Sequence, residues 1–437
     1  VELKDLFITP IYAALLLFAA YQVRPYVTNR DTQRYFMPAL LVKFFGAIAL
    51  GLIYQFYYNG GDTFNYFTHG SRWIWEAFMD NPVTGFSILF EEGGARQPET
   101  FQYTQHIWYY RDPQSFTVVR IAGLIDFFTF HTYSATALFF AIFSFSGAWF
   151  FYKAVVQKYP GNERKLAVAI LFIPSVVFWG SGILKDTITF GALGWLTYCV
   201  INIIDFQRLN IKYWVIGACM AVLIFKIKSY IVICFIPMLF VWLYWKYQVQ
   251  IKSAILRVLI APVLLMIFVS SAYFSLDQVS SYSEKYSLDA IAERAAITAY
   301  DIRYGWGART GGDGGYDIGI PDGSWQSMIS LAPKAIVVSL FRPFLWEVKN
   351  PLMLLSALES IIITILVSLM LVKGKWKRIV EDPFLLFCLF FALLFGFAVG
   401  ISTGNFGTLM RYKIPMMPFF FTFLMLALDK REKKYGE

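Results

Sequence analysis

Long apolar runs, separated by short basic or glycine-rich connections, dominate the chain. Eleven runs are read as membrane spans, at roughly 6–22, 37–57, 131–152, 166–180, 186–204, 211–225, 229–246, 254–274, 351–372, 384–402 and 409–428. A hydrocarbon core of about 30 Å needs roughly 17 to 25 apolar residues in a helix, which is the length that recurs. Several spans are short or interrupted. "SGILK" alone separates 166–180 from 186–204, and "KIK" separates 211–225 from 229–246. Two more stretches, 115–130 and 328–345, carry Arg120, Asp126, Lys334 and Arg342. They are read as interfacial or re-entrant helices, lying along the membrane plane or dipping partly into it. The chain shows no internal repeat and no heptads. The expected fold is an all-α polytopic membrane protein in a single membrane domain over 1–437.

Lysine and arginine set the expected orientation. The basic connections are Arg24 to Arg34, "KAVVQKYPGNERK" at 153–165, "RLNIK" at 208–212, "KYQVQIKSAILR" at 246–257, "KGKWKR" at 373–378 and the tail "DKREKK" at 429–434. Putting all six in the cytoplasm places the N-terminus outside and the C-terminus inside. That requires an odd number of spans, as eleven is. Two long segments, 58–130 and 275–350, then become extracytoplasmic loops. The first carries Trp73, Trp75, Trp108, Tyr103, Tyr109 and Tyr110, residues suited to a membrane surface or to sugar rings. The second holds "RYGWGARTGGDGGYDIGIPDGSW" at 303–325, too poor in apolar residues for a helix, and reads as a mobile loop or lid.

Composition agrees. The 437 residues are 58% hydrophobic and only 15% charged, with a mean hydropathy of +0.54. Soluble domains carry about 25% charged residues, so a soluble helical protein is set aside. The net charge of +9 gathers at span ends. It therefore points to topology and to anionic lipid headgroups or a lipid-linked anionic substrate, not to nucleic acid. Cys199, Cys219, Cys234 and Cys388 all fall inside spans without a CxxC pair and are expected to be buried apolar thiols. With only His69, His106 and His131 beside them, neither a zinc nor a haem site is expected. No cleavable leader is expected, because the first span lacks a basic start and a small-residue cleavage site.

With this orientation the unusual motifs share one face. "GGDTFNY" (60–66) closes the second span and "WGSGILKDT" (179–187) is a tight outer turn. "FKIKSY" (225–230) is another, "FRPFLWE" (341–347) precedes the ninth span, and "GNFGTLMRYK" (404–413) opens the last. They carry Asp62, Lys185, Asp186, Lys226, Lys228, Arg342, Glu347, Arg411 and Lys413. Charges at membrane depth cost several kcal/mol unless paired or wetted, so each is a functional candidate. Several cations and a few acids toward one leaflet suit a pocket for a phosphate.

Each candidate has two readings. Asp62 is either the N-cap of a helix over about 63–79 or a general base set by the Gly60-Gly61 turn, with Tyr66 nearby. Lys185 and Asp186 are either a salt bridge that lets a tight turn surface, or a phosphate site to which Ser181 and the next helix N-terminus add donors. Lys226 and Lys228 either snorkel to headgroups or bind donor phosphate. Arg342 with Glu347 is either an interfacial ion pair or a guanidinium fork on pyrophosphate. Arg411 is either a headgroup contact or a phosphate ligand, and Gly404, Asn405 and Gly407 beside it imply close backbone approach. Asp313, Asp317 and Asp322 do not have EF-hand spacing, and no metal site is expected there.

"GGDTFNYFTHGSRWIW" resembles the first extracytoplasmic loop of GT-C fold glycosyltransferases. "NFGTLMRYKIPMMPFF" resembles the late Asn-x-Gly-x-x-x-Arg pattern with a following proline of family 39-like and O-antigen polymerase-like membrane proteins. "PSVVFWGSGILKD" is similar to the Ser-Gly-plus-basic turn of polysaccharide polymerases, and "FRPFLWE" to bacterial membrane proteins of this kind. Together these motifs cover about a fifth of the chain. The resemblance implies transfer of a sugar from a polyprenyl-phosphate donor on the extracytoplasmic face of a bacterial inner membrane. Asp62 would act as base, while Lys185, Arg342 and Arg411 hold the donor phosphate. Asp62 follows the second span, whereas the family's loop follows the first. No acid pair adjoins Asp62, Glu91 and Glu92 being the nearest in that loop, so neither a metal nor another cofactor is expected. A polymerase or ligase using a pyrophosphate-linked glycan, a transporter or flippase for an anionic lipid or glycan, and an envelope scaffold are the alternatives.

Overall fold

A computed structural model of the chain describes residues 2–248, 297, 300, 315–319, 322 and 324–429. Among the described residues the protein is helical, with one isolated antiparallel bridge between Gly315 and Asn405. Seven of these helices are long and apolar enough to cross a membrane. The protein is a polytopic membrane protein, helical throughout its described elements. Its chain divides into two compact units, Val1–Val232 and Ile233–Glu437.

The first unit begins with α1 (Leu3–Val27) and α2 (Gln33–Phe56). Short helices follow: α3 (Asp62–Tyr66), a π-helical turn (Phe67–Ser71), α4 (Arg72–Asp80), α5 (Pro82–Phe90) and α6 (Phe101–Thr104). Then come α7 (Pro113–Thr129), α8 (Tyr133–Lys158), α9 (Glu163–Leu171), α10 (Pro174–Trp179), α11 (Lys185–Ile204) and α12 (Ile211–Tyr247). The core is α8 against α11. Their apolar windows are 72% and 83% buried, against 11% for α1, whose Leu6, Phe7, Leu15 and Phe18 face outward. Small residues let α8 and α11 touch backbone to backbone. A Cβ on Gly147 would lie 1.9 Å from the Gly191 carbonyl oxygen. Close approach of this kind is how helices associate where lipid removes the hydrophobic drive. Phe36 on α2 meets Phe145 and Trp149 of α8 edge-on, with ring centroids 5.1 and 4.8 Å away.

The second unit contains the end of α12, then α13 (Trp325–Phe341), α14 (Pro351–Lys373), α15 (Trp376–Glu381), α16 (Pro383–Ser402), α17 (Phe406–Tyr412) and α18 (Met417–Ala427). Here α13 packs on α16, with the Ser339 hydroxyl donating to the Gly396 carbonyl at 2.5 Å. An aromatic ladder fills the core, in which Phe235, Phe387, Phe391 and Phe419 meet edge to face.

Six of the eleven expected spans appear singly as α1, α2, α8, α11, α14 and α16. The expected pair 211–225 and 229–246 is one helical element kinked at Lys228, whose φ of −145° and ψ of 78° are not helical. Expected span 166–180 is broken in two at Phe172–Ile173, because Pro174 takes the first position of α10 and has no N–H to continue α9. Expected span 409–428 is broken likewise, into α17 and α18 around Pro415 and Pro418. Cys199, Cys234 and Cys388 are buried, but Cys219 is exposed, on the outward face of α12. Expected span 254–274, Asp313 and most of the expected 275–350 loop lie outside the described residues.

Candidate functional site

The turn after α2 explains where Asp62 sits. Gly60 and Gly61 have φ of 127° and 122°, backbone that a side chain strains, so the next helix starts only after them. Gly61 is therefore the N-cap, and Asp62 is the first helical residue. That corrects the expected capping role, and the expected helix over 63–79 is two α-helices joined by the π turn. Asp62 keeps a favourable place in the first turn, near the positive end of the helix dipole. Half-buried, it accepts a hydrogen bond from the Tyr109 hydroxyl at 3.3 Å. The Asn65 amide also donates to that hydroxyl, at 3.3 Å, and the buried Tyr66 ring lies 4.9 Å from the Tyr109 ring.

Three residues beyond Tyr109, Asp112 caps α7 by accepting from Gln114 N–H and Ser115 Oγ. Its other interaction is with Lys185, whose Nζ lies 3.3 Å from Asp112 Oδ2. The segment Tyr109–Asp112 thus holds Asp62 at one end and Lys185 at the other. Burial pushes the Asp112 carboxyl up. The Lys185 ammonium and the hydrogen bonds from Ser115 and Gln114 more than offset this and hold it below the ordinary carboxylate range.

Lys185 opens α11, and Asp186 beside it turns inward. Asp186 is buried, and its Oδ1 lies 2.5 Å from the buried Lys228 Nζ at the kink of α12. The two lysines of "KIK" therefore differ: Lys226 is exposed, whereas Lys228 is an interior ion-pair member and does not snorkel. The Ser181 hydroxyl is fully buried and donates to the Val177 carbonyl, at the end of α10.

Lys43, in the middle of α2, was not singled out from the sequence. Its Nζ donates to Ser144 Oγ at 3.0 Å, Val176 O at 3.0 Å and Gly180 O at 2.8 Å. Three donors meet three oxygens, two of them carbonyls at the end of α10, where the helix dipole is negative. The signal was present as a lone lysine inside "LLVKFFGAIAL", but attention to span ends passed over it.

In the second unit Arg342 and Glu347 form a fork, Nε to Oε2 at 3.1 Å and Nη2 to Oε1 closer still. Glu347 also accepts from Phe344 N–H at 2.8 Å. Burial raises the Glu347 carboxyl, and these partners outweigh it, leaving it below its ordinary value. The guanidinium lies 5.1 Å from the Phe406 ring centroid and 5.7 Å from that of Tyr316. Asn405 is a helix cap, accepting from Gly407 N–H at 2.7 Å, and Gly404 O accepts from Tyr316 N–H at 3.0 Å. The close backbone approach expected around Asn405 is thus an approach of the chain to itself. Arg411 is half-buried. Lys413 is fully buried, with no hydrogen-bond partner for its Nζ, and Glu359 acts on it electrostatically. Asp317 and Asp322 accept from the N–H groups of Gly319 and Ser324, as turn residues do.

The chemistry available at this segment is one half-buried carboxylate, Asp62, that accepts from a phenol, and one lysine, Lys185, that faces the Asp112 carboxylate. A carboxylate so placed can take a proton, and an ammonium exchanging one acid for another can bind a phosphate. Comparison of the chain with protein-family profiles, with curated proteins and with solved structures gave no match.

Proposed function

We propose that the protein is a membrane glycosyltransferase that moves a sugar from a polyprenyl-phosphate donor to an acceptor hydroxyl, in the manner of GT-C enzymes, in cell-envelope glycan or glycolipid synthesis. The observation that carries this reading is the Tyr109–Asp112 segment, which holds Asp62 and Lys185 at its two ends. Asp62 takes the proton of the acceptor hydroxyl, whose oxygen bonds to the anomeric carbon. The bond from that carbon to the phosphate oxygen breaks, and polyprenyl phosphate leaves with the electron pair. Lys185 stabilises the charge on the departing phosphate. In this reading the site faces away from the cytoplasm of a bacterial inner membrane, with the N-terminus on the same side.

The test uses the full chain in liposomes with undecaprenyl-phosphate-linked glucose and mannose as donors and a mixed glycan extract as acceptor. Wild type is expected to release free undecaprenyl phosphate. Asp62→Asn is expected to retain donor but lose release by a factor of about 10² or more, the usual weight of a general base. Lys185→Met is expected to weaken donor binding. Full turnover in Asp62→Asn would end the assignment of Asp62.

One observation favours a second reading, movement of an anionic lipid or glycan. The buried Asp186–Lys228 pair sits where α12 loses helical geometry, and interrupted helices with charged groups line many transport paths. Passage of labelled lipid across the same liposomes without cleavage of its sugar–phosphate bond would select that reading.

A further inference from the structure

A second polar centre in the first unit is not used by the reading above. Asp126 of α7 is fully buried, and three side chains donate to it. Ser71 Oγ reaches Oδ2 at 2.6 Å, Thr136 Oγ1 reaches Oδ1 at 2.6 Å, and His131 Nδ1 lies 2.8 Å from Oδ2. The backbone is bent to achieve this. Phe130 and His131 have φ of 54° and 48°, a left-handed conformation that is unfavourable for a bulky aromatic residue. The turn brings His131 back over α7, where its N–H donates to Asp126 O at 3.0 Å. The imidazole lies flat on Phe67, with centroids 3.9 Å apart and planes 5° from parallel, and Trp75 stacks near it at 5.6 Å. Phe67 opens the π-helical turn, a rare element that is frequent at functional sites.

Beside this stack lies a cavity of about 250 Å³, of which His131 is a wall. Asp126 occupies Nδ1, so Nε2 is the ring nitrogen left for a ligand. Phe64, Phe67, Trp75 and Tyr133 supply aromatic walls, and Thr68 adds a hydroxyl. Two of the three carboxylates at the cavity face a cation. Lys4 lies 3.3 Å from Glu2, and Arg72 lies 2.7 Å from Glu76. Asp5 accepts from the N–H groups of Ser134 and Glu2, each at 2.8 Å. Three carboxylates against two cations leave the lining slightly negative, which disfavours an anion, and its many hydrogen-bond donors and acceptors suit a neutral ligand rich in hydroxyls. Drug-sized pockets start at roughly 300 Å³, so this one holds a single ring and not a chain. Flat aromatic walls beside hydrogen-bonding groups match the two faces of a pyranose, one of C–H groups and one of hydroxyls.

We propose that this cavity binds one neutral sugar ring, stacked on Trp75 and hydrogen-bonded through a hydroxyl to His131 Nε2, with Asp126 as the residue that positions the imidazole. The site stands on its own geometry and does not depend on Asp62 or on a lipid donor.

The chain has three histidines, and the other two serve as internal controls. The purified full chain is treated with diethyl pyrocarbonate, which modifies accessible imidazole nitrogen, and each histidine is followed by peptide mass spectrometry. Methyl glucoside, methyl galactoside, methyl mannoside and methyl N-acetylglucosaminide are the probes, with phosphocholine as the zwitterionic comparison. At least one glycoside is expected to slow modification of His131 by about tenfold at ten times its dissociation constant. His69 and His106 keep their rates. Trp75→Ala is expected to leave His131 reactive and abolish its protection. The proposal is overturned by an unreactive His131, by equal modification with and without every glycoside, by protection from phosphocholine alone, or by protection that survives Trp75→Ala. None of these outcomes involves Asp62, so failure here leaves the transferase reading to its own test.

Discussion

The two units differ in how many of their buried cations are tied to distant parts of the chain. In the first, partners come from distant parts of the chain: Lys228 meets Asp186 across 42 residues, Lys185 meets Asp112 across 73, and Lys43 meets Gly180 across 137. In the second, the Arg342–Glu347 fork is local, five residues apart, although Arg378 reaches the Asp429 carbonyl across 51 residues, and among the described residues the buried Lys413 ammonium has no hydrogen bond. Long-range pairs tie helices together at membrane depth. A local pair fixes one turn. Lys43, Lys185 and Lys228 are therefore part of the fold, and any of them that also binds substrate must exchange a partner to do so.

The sharpest way to break that contrast is Asp186→Ala, which leaves Lys228 buried without its carboxylate. The expected loss is about 3–5 kcal/mol in reversible unfolding in mixed micelles, partly restored by adding Lys228→Met. A loss below about 1 kcal/mol would show the pair to be wet and dispensable. Gly147→Ala comes next. Its Cβ would collide with backbone and not with a yielding side chain, so about 1–3 kcal/mol is expected from the same measurement. Glu347→Gln in the second unit keeps one acceptor for Arg342 and should cost about 1 kcal/mol. Lys413→Met should change stability by less than about 1 kcal/mol, because relief of the buried ammonium is offset by what the buried Glu359 loses. A larger loss would show that Glu359 holds Lys413 as Asp186 holds Lys228.

Acid tests the Asp112–Lys185 link. The Asp112 carboxyl is depressed in the folded chain, so its contribution is present above the ordinary carboxylate value and lost as pH falls through the lowered one. Hydrogen exchange of 109–116 and 183–189 is expected to rise together below the ordinary carboxylate range in wild type. In Asp112→Asn it should already be raised at neutral pH.

Much of the fold was legible because hydrophobic length is a local property. Six spans appear singly close to their expected bounds, since a run of apolar residues needs no knowledge of its neighbours. The two broken spans were misread for want of weight on Pro174, Pro415 and Pro418, whose missing N–H outweighs an uninterrupted apolar pattern. Asp62 was correctly set at a glycine turn, but the cap fell to Gly61, because two consecutive left-handed residues delay the helix by one position. The Arg342–Glu347 pair was readable at five-residue spacing. Lys43, the division of labour between Lys226 and Lys228, and the Asp126–His131 pair were not readable as such, since each depends on which helices touch.

The most direct test of the first-unit site is photocrosslinking of the full chain in liposomes with a benzophenone-bearing polyprenyl phosphate. The account predicts that labelled peptides fall in 57–66, 107–113 and 180–190, that unlabelled polyprenyl phosphate competes, and that Lys185→Met removes the labelling. Competable labelling confined to other segments, and unchanged by Lys185→Met, would contradict it.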